Sequence, residues 1–357
     1  MTQATGSDAT KASAPADLRG MFQLFSTLDI EKTLHDFFGN VEWESATSYQ
    51  IYQIFLNRLP DSTSSLRNIR SLSKLEQAIS FFCSPEFQTR LIELVLTAYP
   101  EKRRLFHLHV PKSAGVDLRE ILVKLYPFVH YNHTQRDSTS PLALAAHLKM
   151  FSDIASRSDS ILVSGHMPLI WYLKRGLIRY SDYAFSVLRH PKDSIISLVN
   201  YYLRRIDEDP KCLWPDTKSY ADYLGVKEFS LAMSHCEKLE IAEAMFRNKS
   251  MMQANLLTHM LGCGTADTAI ELVTLSNTEI IPLHSYASWL KLQWGIESNS
   301  QRNKTFHVIT ATDISKDTED YINDYVSEDV KLFDILSGAI ERRGRGSIFG
   351  HELLESL

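Results

Sequence analysis

The chain has 357 residues, 44% of them hydrophobic, with 38 Lys and Arg against 43 Asp and Glu and a net charge of −5. That balance argues against a nucleic-acid coat, so any anionic ligand has to be met by local positive charge. The length allows one large α/β domain plus a small module. No stretch of about 18 apolar residues and no charged-then-apolar leader exists, so neither a membrane anchor nor a signal peptide is expected. Cys83, Cys212, Cys236 and Cys263 lie far apart with no C-x-x-C pair, which gives no disulfide framework and no zinc site.

Residues 1–17 are rich in Ala, Ser, Thr, Gly and Asp and read as a flexible tail. Residues 18–100 read as all-helical. Ile51, Ile54 and Phe55 recur at helical spacing, and Ser73 with Glu76 forms a capping-box pattern before Leu75, Ile79 and Phe82. Ser84-Pro85-Glu86 starts a further helix, with proline where its missing N–H does no harm. This stretch, from YQIFLNRLPD to SPEF, resembles a short helical module of bacterial proteins of glycan and surface metabolism. The resemblance implies a docking or substrate-presenting role with a partner of its own; simple cover for the sheet is the other reading.

The third expected segment, 101–357, opens on RLFHLHVPKSAGVDLREILVKLY. Phe106, Leu108 and Val110 alternate with His107 and His109, a strand period that Pro111 stops. Past Gly115, Leu118, Leu122 and Leu125 recur at helical spacing opposite Arg119, Glu120 and Lys124. A strand, a tight turn and a helix direct backbone N–H groups and the positive helix end at one spot, suited to phosphate or sulfate. Lys112 adds a mobile cation. The pattern is not the G-x-x-x-x-G-K-[ST] loop, because the lysine precedes the glycine.

Residues 141–155 carry Leu144, Leu148, Phe151 and Ile154 along one helical side, which suits core packing. ILVSGHMPL then reads as a short buried strand ending in Gly165-His166. A second strand-turn-helix follows in YAFSVLRHPKDSIISLVNYYLRRI, with Arg189 at the turn and Ile195, Leu198, Val199 and Tyr202 on the apolar side of the helix. A guanidinium there can grip a phosphate with two parallel bonds and a hydroxyl can donate another.

PKSAG after a hydrophobic strand resembles the 5′-phosphosulfate loop of sulfotransferases, written P-K-T-A/G-G/S-T-S in the carbohydrate-acting branch. RHPKDSIIS resembles that family's 3′-phosphate segment, R-x-P-x-x-R-x-x-S. The resemblance covers roughly residues 103–336 and implies a P-loop-like parallel sheet flanked by helices, the sulfotransferase fold, behind the all-α module. It assigns binding of 3′-phosphoadenosine 5′-phosphosulfate, here PAPS, to Lys112, Ser113, Ala114, Gly115 and Val116 at the 5′ end and to Arg189 and Ser197 at the 3′ end.

In the uronyl 2-O-sulfotransferase-like branch a Gly-His at this point supplies the base, which implies His166 as base and acceptor contact; an imidazole near neutrality suits that task. His107, His109 and His190 are the competing histidines. Residues 204–240 turn polar and aromatic, either shaping an acceptor cleft or forming a solvated insertion. MMQANLLTHMLGC resembles the family helix N-x-Q-T-R-x-L-x-G, keeping Gln253 as an acceptor contact but placing Asn255 where arginine is common. LVTLSNTEIIPLHSYASWLKLQWGI reads as a late strand and helix. RNKTFHVITATDISKDTEDYINDYVSEDVKLFDIL resembles the C-terminal loop and last helix, with Asn303, Lys304 and Thr305 closing over the nucleotide.

The resemblance therefore implies in-line sulfuryl transfer from PAPS to a hydroxyl of a carbohydrate or glycolipid acceptor, needing no metal, in a bacterial protein that is cytoplasmic or peripheral to the inner membrane face. Val116 and Asp117 stand where the family loop has hydroxyls, and Ser194 replaces a second arginine. Those departures keep a non-catalytic nucleotide- or glycan-binding relative as the alternative; a small-molecule or sugar kinase is a further one.

Overall fold

The computed structural model describes residues 99–126, 128–131, 159–208, 213–214, 218–219, 229–247, 255–297 and 308–356, with scattered single positions before residue 99. The expected tail, most of the helical module, the 141–155 helix, Gln253 and Asn303 to Thr305 lie outside the described residues. By its internal contacts the chain divides into two compact units, residues 1–102 with 135–159, and residues 103–134 with 160–357. In the first, Ile92, Leu96 and Tyr99 are buried at helical spacing. The site described below belongs to the second. Among the described residues no helix is long and apolar enough to cross a membrane.

The second unit is built on a five-stranded sheet. Its strands are β1 (Arg103–Leu108), β2 (Phe128–Tyr131), β3 (Ser160–Gly165), β4 (Tyr183–Leu188) and β5 (Glu279–Pro282). The order is β2-β3-β1-β4-β5 and every pairing is parallel, so the fold is α/β with helices against a parallel sheet. A parallel sheet is covered on both faces, and its strands read as near-continuous apolar runs. β1 is central, and every residue from Arg104 to Leu108 is buried. Its alternation therefore separates two covered faces, not a wet face from a dry one.

α1 (Gly115–Leu125) follows β1, and its Leu118 and Leu122 pack with Leu105, Leu162, Phe185 and Ile281 of four strands. α7 (Tyr286–Trp294) closes the same cluster with Trp289 and Leu290. Leu125, expected on the apolar stripe, is exposed, whereas Leu122 before it and Tyr126 after it pack on that cluster. The other face is met by α2 (Leu169–Lys174), whose Tyr172 ring lies edge-on to Phe106 at 5.5 Å.

α3 (Pro191–Glu208) follows β4 and buries Ile195, Val199 and Tyr202 as its spacing predicts. That stripe packs with Ala242, Met245 and Phe246 of α4 (His235–Arg247) and with Val308, Ile309 and Ile322. α5 (Leu256–Leu261) and α6 (Ala266–Leu275) precede β5, so Leu272 to Leu275, read as part of the late strand, are helical. The late strand proper is only four residues long.

The expected last helix is two, α8 (Lys316–Tyr325) and α9 (Ser327–Arg343), followed by α10 (Gly350–Leu354). Between α9 and α10, Ile348 bridges Ile280 with N–H to O distances of 2.8 and 3.1 Å. The C-terminal segment thus pairs with β5, which would otherwise be an open edge. Gly350 permits this approach, since a Cβ there would lie 2.2 Å from the Val273 carbonyl oxygen.

The topology places the site. From β1 the chain runs outward to β2 and back to β3, whereas from β4 it runs the other way to β5. With right-handed crossovers those connections leave on opposite faces, and a crevice opens outside the carboxyl end of β1. The loops after β3, β1 and β4 are the three that border it.

Candidate functional site at the carboxyl ends of three strands

The loop from His109 to Ala114 carries two non-glycine residues in the left-handed region, Lys112 at φ 66° and Ala114 at φ 56°, on either side of Ser113. Each costs of order 1 kcal/mol or more, and such strain collects where function demands a particular backbone. Alternating left- and right-handed residues turn successive N–H groups inward as an anion-binding concavity. Ser113 is 1% exposed, and its Oγ has no hydrogen-bond partner among the described residues. Gly115 opens α1 against the His109 ring, where a Cβ would lie 1.7 Å from Nε2. A side chain at 115 would push that imidazole out of place.

Lys112 reaches towards α3. Its Nζ sits 4.5 Å from the centre of the Tyr201 ring, a cation–π contact. Burial, then the nearby charges of Arg204 and Arg189, lower its ammonium from 10.5 to about 8. Burial also lowers the Arg189 guanidinium, and Asp193 partly opposes that. Neither Lys112 nor Arg189 forms an ion pair among the described residues; Arg204 meets only Glu208 on its own helix, at 3.5 Å. Three cations therefore share one end of the crevice with little counter-charge, an arrangement that favours a multiply charged anion.

Beside them lies a pocket of about 150 Å³ lined by Arg189, Asp193, Ile196, Ser197, Thr310 and Ala311. Its far wall is fixed by Asn200, which is fully buried on α3. The Asn200 amide donates to the carbonyls of Ile196 and Ile309 at 3.0 and 2.9 Å, and its Oδ1 accepts from the N–H groups of Val308 and Ile309 at 2.7 and 3.0 Å. With its amide filled on both sides, Asn200 ties the 308–311 loop to α3, which carries Ser197 and follows the turn at Arg189.

On the β3 side, His166 Nδ1 lies 2.9 Å from the His109 carbonyl oxygen. A carbonyl only accepts, so Nδ1 carries a proton, and in the neutral ring Nε2 is then the basic nitrogen. The His166 and His109 rings pack with centroids 4.3 Å apart, and His109 in turn stacks on His107 at 5.2 Å. His107 is 1% exposed, stacked on Phe185 and within 2.8 Å of Ser164 Oγ. His190 packs edge-on against Phe333. Of the competing histidines, His107 and His190 are absorbed by packing, while His109 links His166 to the loop at Gly115.

Lys112, Ser113, Ala114, Gly115, His166, Arg189 and Ser197 are thus brought to the ends of adjacent strands. Val116 is exposed, one residue into α1. Asp117, which stands where the family loop has a hydroxyl, turns its carboxylate to the Tyr286 hydroxyl at 2.9 Å, and the burial of Tyr286 together with that carboxylate raises the phenol. Asn255 sits in the left-handed region at the start of α5 and accepts from the Asp329 N–H. Its position is explained by helix capping. Tyr201, Arg204, Asn200, Asp193 and Thr310 were missed. Ser197, Tyr201 and Arg204 fall at i, i+4 and i+7, so their shared face was readable once the helix was accepted; nothing local joined residue 310 to them.

Compared with known proteins, the chain matches no family model, no curated protein and no solved structure. The strained loop, the orphaned Ser113 hydroxyl and the cation group fit a phosphate- or sulfate-bearing ligand.

Proposed function

We propose that this protein is a sulfotransferase that moves a sulfuryl group from PAPS to a hydroxyl of a carbohydrate or glycolipid. The observation that carries this reading is the group of Lys112, Arg189 and Arg204, poor in counter-charge, beside a loop strained at Lys112 and Ala114. When bound, the nucleotide supplies an activated sulfuryl group next to a phosphate leaving group. Lys112 and the amides of Ser113 to Gly115 stand where charge grows on the departing phosphate oxygen. Arg189 and Ser197 hold the 3′-phosphate, which sets the register of the donor. His166, its Nδ1 proton committed to the His109 carbonyl, accepts the hydroxyl proton at Nε2. The acceptor oxygen bonds to sulfur as the bond from sulfur to the phosphate oxygen breaks, leaving a sulfate ester and adenosine 3′,5′-bisphosphate.

Calorimetric titration with adenosine 3′,5′-bisphosphate, with ATP as comparison, tests the reading. Selective binding that Arg189→Ala weakens by about 2 kcal/mol, the scale of a lost charged hydrogen bond, is expected. Absence of binding by either nucleotide sinks it, and magnesium-dependent preference for ATP turns it into a kinase.

A further inference from the structure

The pocket beneath Arg189 holds a carboxylate as well as cationic and hydroxyl groups. Asp193 stands four residues after Arg189, which lies in the turn before α3, and one helical turn before Ser197; it is exposed, lines the same 150 Å³ space, and forms no hydrogen bond or ion pair among the described residues. Its place in the first turn of α3 suits the helix dipole. A dipole partner, however, has no need to face a ligand pocket, and a carboxylate beside a phosphate-binding arginine repels a phosphate. Its charge supports the Arg189 guanidinium, and it becomes a ligand contact as well when the group next to the phosphate is a hydrogen-bond donor. A ribose 3′-phosphate has such a neighbour, because the 2′-hydroxyl stands on the adjacent carbon on the same side of the ring. An acidic side chain is the usual partner of a ribose hydroxyl at the end of a parallel strand.

We propose that Asp193 reads the free 2′-hydroxyl beside the 3′-phosphate, which makes it the residue that selects a 3′-phosphorylated ribonucleotide over 2′-deoxy and 2′-phosphorylated ones. The pocket then matches its ligand group by group. Arg189 and Ser197 address the phosphate, Asp193 accepts from the hydroxyl, and the Thr310–Ala311 wall held by Asn200 closes the far side. Asp193 and Ser197 stand four residues apart on α3, and Arg189 lies four residues before Asp193 in the turn that leads into the helix, so the start of α3 sets the spacing of phosphate and hydroxyl. This inference rests on the nucleotide reading of the site.

The test is calorimetric titration of wild type, Asp193→Ala and Asp193→Asn with adenosine 3′,5′-bisphosphate, its 2′-deoxy analogue and adenosine 2′,5′-bisphosphate. Wild type is expected to prefer the 3′,5′-ribonucleotide over the deoxy analogue by about tenfold, the scale of one hydrogen bond to a charged group. Asp193→Ala is expected to bind both equally and to bind the deoxy analogue more tightly than wild type does, because a repulsive charge is gone. A dipole-only role moves all three ligands together and does not produce that crossing. Asp193→Asn, which keeps an acceptor oxygen, should retain part of the preference. Equal binding of ribo and deoxy ligands by wild type overturns the inference while leaving the nucleotide reading intact. Failure of wild type to bind any of the three overturns both.

Discussion

Asp329 on α9 and Lys112 after β1 are both charged groups drawn out of water, and the chain surrounds them differently. The Asp329 carboxylate is 4% exposed and accepts from the N–H groups of Leu257 and Thr258 at 2.8 and 2.7 Å and from the Thr258 hydroxyl at 2.9 Å. Burial pushes its carboxyl up, and the donors from Thr258 and Leu257 offset part of that. Those donors are the free N–H groups that open α5, so a side chain from a distant helix does the work of an N-cap. Among the described residues Lys112 has the Tyr201 ring alone, with Arg204 and Arg189 as neighbours of the same sign. The saturated charge holds two helices together. The unsaturated one keeps its donors for something that arrives later.

The contrast is sharpest in Lys112→Ala. On the proposed function, sulfuryl transfer from PAPS should fall by about a thousandfold, the effect of removing a preorganised donor to developing charge. Unfolding of the unliganded variant in urea should show equal or higher stability, since a half-buried cation with like charges beside it has been removed. Activity near wild type breaks the assignment of the site, and a large loss of stability breaks the comparison. Asp329→Ala should do the reverse. Two buried N–H groups lose their acceptor, which costs about 3 kcal/mol in the same urea titration, while the Thr258 hydroxyl keeps the Asn255 carbonyl at 2.9 Å. Nucleotide affinity of the folded fraction should stay unchanged; a parallel loss of affinity would show that the capped corner is part of the site.

The smallest effect is a pH dependence. The Lys112 ammonium titrates at about 8 in the unliganded fold against 10.5 when unperturbed. Its cost to stability is therefore complete below about 8 and is relieved as pH rises from there towards 10.5. Nucleotide binding has the opposite sense. Affinity for adenosine 3′,5′-bisphosphate should fall as pH rises through about 8, with proton uptake on binding just above that value, read from titrations in buffers of different ionisation enthalpy. A flat profile between pH 7 and 9.5 would falsify the view that the anion restores the charge on Lys112.

Much of this was legible before any coordinates. The two strand-turn-helix units appear where the period changes at Gly115 and at Pro191, and the turns that hold Lys112 and Arg189 follow from them. The path of β1 was half legible. Its alternation was real, but a central strand hides both sets of residues, so His107 is a packed core group rather than an open candidate. His166 was found by its Gly-His context, whereas its tautomer comes from a carbonyl 57 residues earlier in the chain. The segment past residue 336 carried no expectation, because pairing of Ile348 with Ile280 joins positions far apart in sequence and leaves no periodic trace.

The sequence by itself determined where strands give way to helices and which residue types stand in the turns, because those depend on periodicity and on the local chemistry of proline, glycine and lysine. Only the tertiary structure decided what the turns do together. The strand order brings the ends of β3, β1 and β4 side by side, and the loop takes a left-handed backbone at Lys112 and Ala114 that neither residue prefers alone. Arg204 stands beside Lys112 and Thr310 faces Ser197 for the same reason: electrostatic and hydrogen-bonding neighbours are set by distance through space, which the order of residues along the chain does not encode locally.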